Sequence, residues 1–568
     1  MNIKNLFLGF TLCSMLPLSI MAKNDNVKEN VASFHNFTYT GNDDIYNQLT
    51  LPDESSCFNP IFSGWYSDPT ICTNGEGDYF FATSSFSYYP GVPLYHSRDL
   101  LNWKQVGYIL NRPSQLSHIK RQNLSGGIFA PALSYNPANK TYYMITTDVG
   151  SGNFLVKTTD PFGDWSDPIY LPEIKGIDPS IFFDTDGKAY IVNNDDAPAY
   201  RPEYPGHRTV RIMEFDWKND KCVGQREIIV NKGVNFKEKP IWCEGPHIYK
   251  VNGEYYLMTA EGGTAYNHSE VIYKSKHPFG PFIPWKQNPI LTQRDMPVDR
   301  ENPVTCAGHA DLVKTPSGDW YAIFLACRPL EGNYENLGRE TFIMPVKWTT
   351  DGWPLITLPK EGVPSIVNIK GAKRSDNVTF GNFSVNESFD SNKLSHDWMT
   401  LRGPASDLYS LTDKPGYLNI KCANVKSSEK TELPYICRRI NHHKFEATTR
   451  LTFTPKNDDE RAGMMLYKDE THHYFLAKEK AGKNSKLTLY KMTDNGLEKE
   501  QSVNIANKST IDLKVASDGK TFDFYYSTNN GKTWKPVMLG ADARYTSTAN
   551  AGGFTGTTIG VYATGAKI

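Results

Sequence analysis

The chain has 568 residues, of which 39% are hydrophobic and 22% are charged. This length exceeds that of one ordinary domain, and the composition is that of a globular protein, so we expect one large and one medium domain. The formal net charge of −1 provides no global positive field, which argues against nucleic acid or a membrane surface as a partner.

The N-terminus has the pattern of a signal peptide over residues 1–22. Lys4 supplies a positive charge, residues 6–20 are apolar, and Ala22 ends a small-residue cleavage site. The apolar stretch is too short to span a bilayer. We therefore expect export across the inner membrane without membrane insertion, with the periplasm favoured over the extracellular medium. Residues 23–58 are polar and lack periodicity, and they are predicted to form a partly disordered lead-in segment.

Residues 59–360 repeat one short pattern five times: a polar or glycine residue followed by an aromatic-led apolar run. The second aromatic residues of the five copies are Phe80, Tyr143, Tyr190, Tyr256 and Tyr321. Their spacings of 63, 47, 66 and 65 residues each allow a four-stranded sheet with its loops. This all-β texture predicts a five-bladed β-propeller catalytic domain, with a sandwich or solenoid of coincidental spacing as the alternative.

Twelve residues before each of these aromatic residues lies one position that is mostly ionisable. The five positions are Asp68, Pro131, Asp178, Glu244 and His309. Asp68 and Asp178 are each followed by proline, which favours extended geometry for the preceding residue at the start of a strand. Because equivalent positions of successive blades face one axis, we expect the three carboxylates to share a pocket.

The last third of the chain has a different texture. Residues 361–380 show no repeat and are predicted to be a linker. From 381 to 568, charge rises and apolar residues alternate, as in the segment 446–453, and turns such as Asn529-Asn530-Gly531 join the strands. This pattern predicts a C-terminal β-sandwich of the jelly-roll or concanavalin-like kind.

A cluster of three carboxylates suits glycoside hydrolysis. Repulsion between like charges raises at least one pKa, and an inverting glycosidase needs a neutral acid and an ionised base roughly 6.5–9.5 Å apart. Calcium binding is a weaker explanation, because calcium ligands are usually close together in sequence. A sugar-binding protein without catalysis has no need for three carboxylates at one point.

Long motifs now identify a resemblance. They are Gly64-Trp65-Tyr66-Ser67-Asp68-Pro69, the segment 84–93, Gly126-Gly127-Ile128-Phe129-Ala130-Pro131, Glu244-Gly245-Pro246-His247, Ala260-Glu261-Gly262-Gly263-Thr264, Gly308-His309-Ala310-Asp311-Leu312 and the segment 337–342. Residues 59–356 resemble glycoside hydrolase family 43, a family of inverting five-bladed propeller enzymes. The remainder resembles the β-sandwich that follows the propeller in its β-xylosidase and α-L-arabinofuranosidase branch.

The resemblance implies roles for individual residues. Asp68 would be the general base and Glu244 the general acid, and Asp178 would raise the pKa of Glu244 and orient it. Arg339 would bind sugar hydroxyls, and His309 would face the channel. No cofactor is implied, and no metal ligand is predicted. Some relatives hold a cation near this histidine, so the resemblance allows a calcium ion there without requiring one.

The substrate follows from the same resemblance. Phe86 and Phe129 are candidate sugar-stacking rings, and many β-xylosidases of the family carry Trp at the position of Phe129. The Pro-rich loop 194–208 would rim the pocket. We therefore expect an enzyme that removes terminal non-reducing α-L-arabinofuranosyl residues from xyloglucan or arabinoxylan oligosaccharides. The alternatives are a β-1,4-xylosidase, an enzyme with both activities, and a non-catalytic carbohydrate-binding protein. The oligomeric state stays open.

Overall fold

The computed structural model describes residues 29–234, 239–297, 299–506 and 508–567. The predicted signal peptide, residues 1–22, lies outside them, as do residues 23–28 of the predicted lead-in segment. The described chain is almost entirely β-structure. It forms a five-bladed propeller followed by a β-sandwich, which confirms the predicted fold class.

Five antiparallel sheets between residues 70 and 355 are the blades of the propeller. Blades 1 and 2 contain the strands Thr70–Thr73, Tyr79–Ala82, Gly91–Ser97 and Lys104–Leu110, then Ala132–Asn136, Thr141–Asp148, Gly152–Thr158 and Ile169–Tyr170. Blade 3 contains Ile177–Phe183, Ala189–Asp196, Arg208–Asp216 and Lys221–Asn231. Blade 4 contains Glu244–Val251, Glu254–Glu261, Ser269–Ser275, Ile283–Pro284 and Leu291–Thr292. Blade 5 contains Thr305–Lys314, Trp320–Cys327, Glu340–Trp348 and Pro354–Leu355.

The first strand of every blade lies at the axis. First strands of successive blades contact one another, and the first strand of blade 5 contacts that of blade 1, so the ring is closed. The repeated aromatic residues all lie on second strands and are buried: Phe80, Tyr143, Tyr190, Tyr256 and Tyr321. The sequence repeat is therefore the second strand of each blade, whose aromatic residues pack in the core.

Two sheets pack face to face in the C-terminal sandwich. The larger sheet contains Tyr409–Ser410, Leu418–Lys421, Val31–Gly41, Lys444–Thr452, Thr510–Asp518, Thr521–Ser527, Lys535–Asp542 and Ser384–Glu387. The smaller sheet contains Tyr435–Arg439, Thr558–Thr564, Arg461–Tyr467, His473–Ala481, Asn484–Thr493 and Gly496–Ile505. A continuous apolar core lies between them.

The predicted lead-in segment is wrong over residues 31–41, because this stretch is a strand inside the larger sheet of the sandwich. It pairs with Lys444–Thr452 on one side and with Leu418–Lys421 and Ser384–Glu387 on the other. Its buried residues Ala32 and Phe34 alternate normally, but the register then shifts at Asn36, which has a φ of 52°. Burial resumes one residue out of phase, so the alternation that marks a strand is interrupted in the sequence.

The predicted linker 361–380 is also packed structure. Its strand Ile366–Asn368 pairs with Ser56–Phe58, and Val367, Ile369 and Phe380 are buried in the propeller core. Three paired residues are too few to show periodicity in a sequence. A second short pair, Tyr88–Tyr89 with Thr400–Leu401, joins blade 1 to the sandwich domain.

Helices are few and short among the described residues. The α-helices are Asp44–Gln48 and Thr548–Ala551, and the 3₁₀ helices are Pro113–Leu116, Pro198–Tyr200 and Ala543–Thr546. None of the helices in this part of the chain has the length and apolar character needed to cross a membrane.

Candidate active site

Four of the five repeated positions place ionisable side chains at the inner ends of the blades. Asp68 lies just before Thr70–Thr73, and Asp178 is the second residue of the first strand of blade 3. Glu244 begins the first strand of blade 4, and His309 lies within the first strand of blade 5. Asp68, Asp178 and His309 are buried. Gly245, directly after Glu244, donates its N–H to Asp178 Oδ2 at 3.2 Å, and a Cβ atom on Gly245 would lie 3.0 Å from the ring of His309. His309 Nδ1 in turn lies 3.9 Å from Asp68 Oδ1, so the three carboxylates are grouped around one point.

The backbone at these positions is left-handed rather than extended, which corrects the expectation drawn from the Asp-Pro pairs. The φ angles of Asp68, Asp178 and His309 are 53°, 53° and 52°, and Gly245, directly after Glu244, has a φ of 56°. Strand register shifts at the same places in blades 3, 4 and 5. Such bulges re-aim side chains, and a left-handed non-glycine residue costs of order 1–3 kcal/mol, a strain that clusters at functional sites.

Asp68 lies in a positively charged environment. Ser84 Oγ donates a hydrogen bond of 2.6 Å to Oδ2, and Arg339 Nη1 donates one of 3.1 Å to Oδ1. Burial raises the pKa of Asp68, but the charge of Arg339, the neighbouring His309 and the hydrogen bond from Ser84 together outweigh it, so that the pKa lies below its usual range. This carboxylate is therefore ionised at neutral pH.

The pKa values of Asp178 and Glu244 are raised, in contrast to that of Asp68. Burial, followed by the charge of Asp68, raises the pKa of Asp178 to about 7, although Gly245 N–H donates a hydrogen bond of 3.2 Å to its Oδ2. Burial, followed by the charges of Asp178 and Asp68, raises the pKa of Glu244 well above its usual range. The site thus combines one ionised carboxylate with a carboxyl group that retains a proton near neutral pH.

Arg339 connects this triad to a cavity. The same Nη1 that binds Asp68 also donates a hydrogen bond of 3.0 Å to Thr264 Oγ1, and the guanidinium lies 5.0 Å from the ring centroid of Phe554. A cavity of about 300 Å³ adjoins these groups and is lined by Thr264, Cys306, Arg339 and Phe554, among others. Its volume is at the lower end of the range for small-molecule sites.

Three rings, Phe86, Phe129 and Phe554, form an aromatic corner that borders the site, and the first two were singled out from the sequence. Phe129 is half-buried, and its ring centroid lies 5.8 Å from that of Phe554 at an interplanar angle of 87°. Phe86 is 1% exposed, with a centroid 5.9 Å from Phe129 and 6.2 Å from Phe554. The prediction that Phe86 is a sugar-stacking ring is therefore wrong in this structure, because the ring lies beneath the other two and supports them.

Phe554 belongs to the sandwich domain, and this residue was not singled out from the sequence. Its backbone N–H donates a hydrogen bond of 2.9 Å to Ser125 Oγ of the propeller, and its carbonyl accepts one of 3.4 Å from Ser67 Oγ. Behind it, the backbones of Gly338 and Gly556 are in direct contact, since a Cβ atom on Gly338 would lie 2.6 Å from Gly556 N. The sandwich domain therefore completes the wall of the active site.

A buried lysine secures this interdomain contact. Lys468 Nζ donates a hydrogen bond of 2.8 Å to Thr548 Oγ1 and another to the carbonyl of Thr555, next to Phe554. On the propeller side, Glu335 accepts from Gly338 N–H at 3.2 Å, and its carbonyl accepts from Thr548 N–H at 3.2 Å. These contacts hold the loops that carry Arg339 and Phe554.

His309 faces the site, but the described side chains around it do not form a set of metal ligands. Its Nδ1 lies 3.9 Å from Asp68 Oδ1, and burial lowers its pKa to about 4, so the ring is neutral at pH 7. Within the described ranges, no group of three or more histidine, cysteine, aspartate or glutamate side chains is arranged to hold a metal ion. Calcium takes six to eight oxygen ligands, and the residues around His309 do not fit that requirement.

Arg208 is the other residue that was not singled out, although the loop 194–208 was predicted to rim the pocket. Its Nε donates a hydrogen bond of 2.9 Å to Asn194 Oδ1, and Asn194 Nδ2 donates one of 2.6 Å to the carbonyl of Cys243, next to Glu244. The charge of Arg208 lowers the pKa values of both Asp178 and Glu244 to a small degree. The loop therefore reaches the acid side of the site.

A five-bladed propeller with an ionised and a protonated carboxyl group at its axis, beside a cavity of sugar size, defines a glycosidase. The family model "Glycosyl hydrolases family 43" matches residues 57–354, and "Beta xylosidase C-terminal Concanavalin A-like domain" matches residues 386–568. The chain belongs to glycoside hydrolase family 43.

Individual relatives agree with this assignment. A xylosidase/arabinosidase of Butyrivibrio fibrisolvens is 37% identical over 518 residues, covering 89% of this chain and 95% of the relative. A non-reducing end α-L-arabinofuranosidase of Bacteroides ovatus is 34% identical over 522 residues, covering 89% and 91%. The crystal structure of a GH43_12 protein from a capybara gut metagenome superimposes with a TM-score of 0.87 at 40% identity, covering 94% of this chain and all of that one. The protein is thus an exo-glycosidase of the xylosidase/arabinosidase group.

Proposed function

We propose that the protein is an α-L-arabinofuranosidase that releases terminal non-reducing arabinofuranosyl residues from oligosaccharides of xyloglucan or arabinoxylan. The observation that carries this choice is the aromatic corner, where the half-buried Phe129 meets Phe554 edge to face. Many β-xylosidases of the family have the larger Trp at the position of Phe129. The activity named for the relative from Bacteroides ovatus supports the same choice.

The proposed chemistry is a single displacement. Asp68, kept ionised by Arg339, takes a proton from water as the water oxygen bonds to the anomeric carbon. Glu244, whose pKa is raised by burial and by its neighbours, gives its proton to the departing glycosidic oxygen. The water attacks the face opposite the leaving group, so the anomeric configuration inverts. Asp178 has the positioning role, because its charge and its contact with Gly245 act on Glu244.

A β-1,4-xylosidase is the second candidate, and an enzyme with both activities is consistent with the double name of the relative from Butyrivibrio fibrisolvens. The two terminal sugars share much of their hydroxyl geometry, so one pocket discriminates between them poorly. The test compares kcat/KM for 4-nitrophenyl α-L-arabinofuranoside with that for 4-nitrophenyl β-D-xyloside. A higher value for the arabinofuranoside supports the proposal, and a strong preference for the xyloside overturns it.

The acid assignment has its own test. Glu244→Ala is expected to lose far more activity on natural oligosaccharides than on aryl glycosides, because a good leaving group needs little protonation. Equal losses on both substrates would contradict the role of Glu244. Proton NMR of the first-formed sugar anomer tests inversion, and binding of oligosaccharides without any release of sugar would favour a carbohydrate-binding protein instead.

We also propose that the protein is exported to the periplasm. The support is the charge and apolar pattern of residues 1–22. N-terminal sequencing of protein recovered from the periplasmic fraction of its host is expected to start at Lys23. An intact Met1 in the cytoplasmic fraction would contradict export.

A further inference from the structure

Glu244 is flanked by an exposed indole that the hydrolytic mechanism does not use. Trp242 lies two residues before Glu244, and its side chain is 38% exposed. Between them, Cys243 is fully buried in the core between blades 3 and 4. The residues on either side of Cys243 are thus left to face away from that core, towards the rim and the axis.

Contacts around Trp242 place it beside the pocket wall. The position of a Cβ atom on Gly263 is 3.8 Å from Trp242 Cδ1, and the next residue, Thr264, accepts the hydrogen bond from Arg339. On its other side, the guanidinium of Arg208 lies 5.0 Å from the indole centroid. Arg208 Nε donates a hydrogen bond of 2.9 Å to Asn194 Oδ1, and Asn194 Nδ2 donates one of 2.6 Å to the carbonyl of Cys243, the residue between the indole and the acid.

The backbone that carries the indole is held firmly, although the ring is exposed. Trp242 has a left-handed φ of 52°, which is costly for a bulky residue. The backbone N–H of Trp242 donates a hydrogen bond of 2.9 Å to the carbonyl of Gly206, and Tyr204 Oη donates one of 2.7 Å to the carbonyl of Pro240. The loop 194–208 therefore fixes the backbone of this segment, and an exposed aromatic ring on a strained, hydrogen-bonded backbone beside an acid indicates a binding surface.

We propose that Trp242, backed by Arg208, is a platform for the sugar ring of the leaving group. The general acid protonates the glycosidic oxygen, so the departing sugar must lie on the side of Glu244, where the indole is. A flat aromatic ring fits the apolar C–H face of a pyranose, and Arg208 stiffens the ring from behind. The inference rests on the proposed function for the identity of the acid, and it assigns the leaving-group position to a xylopyranose unit of a xylan backbone.

The experiment measures binding of β-1,4-xylotriose by calorimetry in a Glu244→Gln background, which prevents turnover. Trp242→Ala is expected to raise the Kd about tenfold, the loss of one stacking contact. Trp242→Phe is expected to restore most of the affinity. Tyr170→Ala removes an aromatic side chain of similar exposure from the outermost strand of blade 2 and is expected to leave the Kd unchanged.

An unchanged Kd for xylotriose in Trp242→Ala would overturn the platform. It would also be overturned if Trp242→Phe had the melting temperature of the parent but did not restore the Kd. The inhibition constant of L-arabinose against aryl glycoside hydrolysis, measured with Glu244 intact, is expected to stay the same in Trp242→Ala, because arabinose occupies the terminal pocket. If the parent hydrolyses neither aryl glycoside, the proposed function fails, whereas the xylotriose titrations still decide whether Trp242 binds sugar.

Discussion

Arg339 is expected to control the ionisation of Asp68 as well as sugar binding. Replacing it by methionine removes the positive charge while keeping a side chain of similar length. Nη1 lies 3.1 Å from Asp68 Oδ1, and two unit charges at this distance interact by about 5 kcal/mol at an effective dielectric constant of about 20. His309 also lowers the pKa of Asp68, but less than Arg339 does, and its own pKa is about 4.

The direction of the pH shift expected in Arg339→Met follows from the environment of Asp68. Burial alone raises the pKa of this carboxyl group, and Arg339 is the largest of the influences that lower it. Without Arg339, Asp68 holds its proton to higher pH, so the acidic limb of the kcat/KM profile moves upward. Even a quarter of the Coulomb energy, about 1.4 kcal/mol, moves that limb by about one pH unit. We expect a shift of at least this size in Arg339→Met.

The assay is kcat/KM for an aryl glycoside between about pH 3 and pH 9, with thermal unfolding as the control for folding. Arg339→Lys keeps a positive charge near Asp68, so its acidic limb is expected to stay close to that of the parent while its KM rises. The reasoning is refuted if Arg339→Met raises KM but leaves the acidic limb in place, because Asp68 would then be ionised without help from Arg339.

Three further changes test the remainder of the site. Asp178→Asn removes a negative charge that raises the pKa of Glu244, so the basic limb of the pH profile is expected to move to lower pH; an unmoved limb contradicts the coupling. Phe554→Ala removes one ring of the aromatic corner and is expected to raise KM for aryl glycosides about tenfold at an unchanged basic limb, which kinetics at several pH values will show. Lys468→Met leaves the Thr555 carbonyl without its buried donor, which costs about 1–3 kcal/mol of unfolding free energy and loosens Phe554. Denaturant unfolding measures the first effect and KM the second, and a variant with neither change would show that the lysine does not support the site.

The order of the blades along the chain could be predicted, because it depends on patterns among neighbouring residues. Phe80 and its four counterparts lie on second strands. Twelve residues before each of them, on the other arm of the same hairpin, the chain lies at the axis. Both depend on strand length and turn length, which are properties of neighbouring residues. The axial placement of Asp68, Asp178 and Glu244 followed from the same arithmetic.

The geometry at those positions could not be obtained in this way. Proline after Asp68 and Asp178 predicted extended backbone, but both residues are left-handed, and at Asp178 this coincides with a bulge in the first strand of blade 3. A bulge is decided by how a strand pairs with its neighbour, and the Asp-Pro pair contains only one of the two partners. The strand Val31–Gly41 was missed for the same reason, since its bulge at Asn36 breaks the alternation.

By itself, the sequence determined the fold class, the five repeats and the three carboxylates, because each depends on periods of a few residues along one chain. The family resemblance implied which carboxylate is ionised, but only the tertiary structure supplied the physical cause, because it depends on Arg339, which lies 271 residues from Asp68 in sequence. The tertiary structure also decided that Phe86 is buried and that Phe554, from the sandwich domain, borders the site in front of it. Burial and electrostatics act through distance in space, and distance along the chain does not predict them.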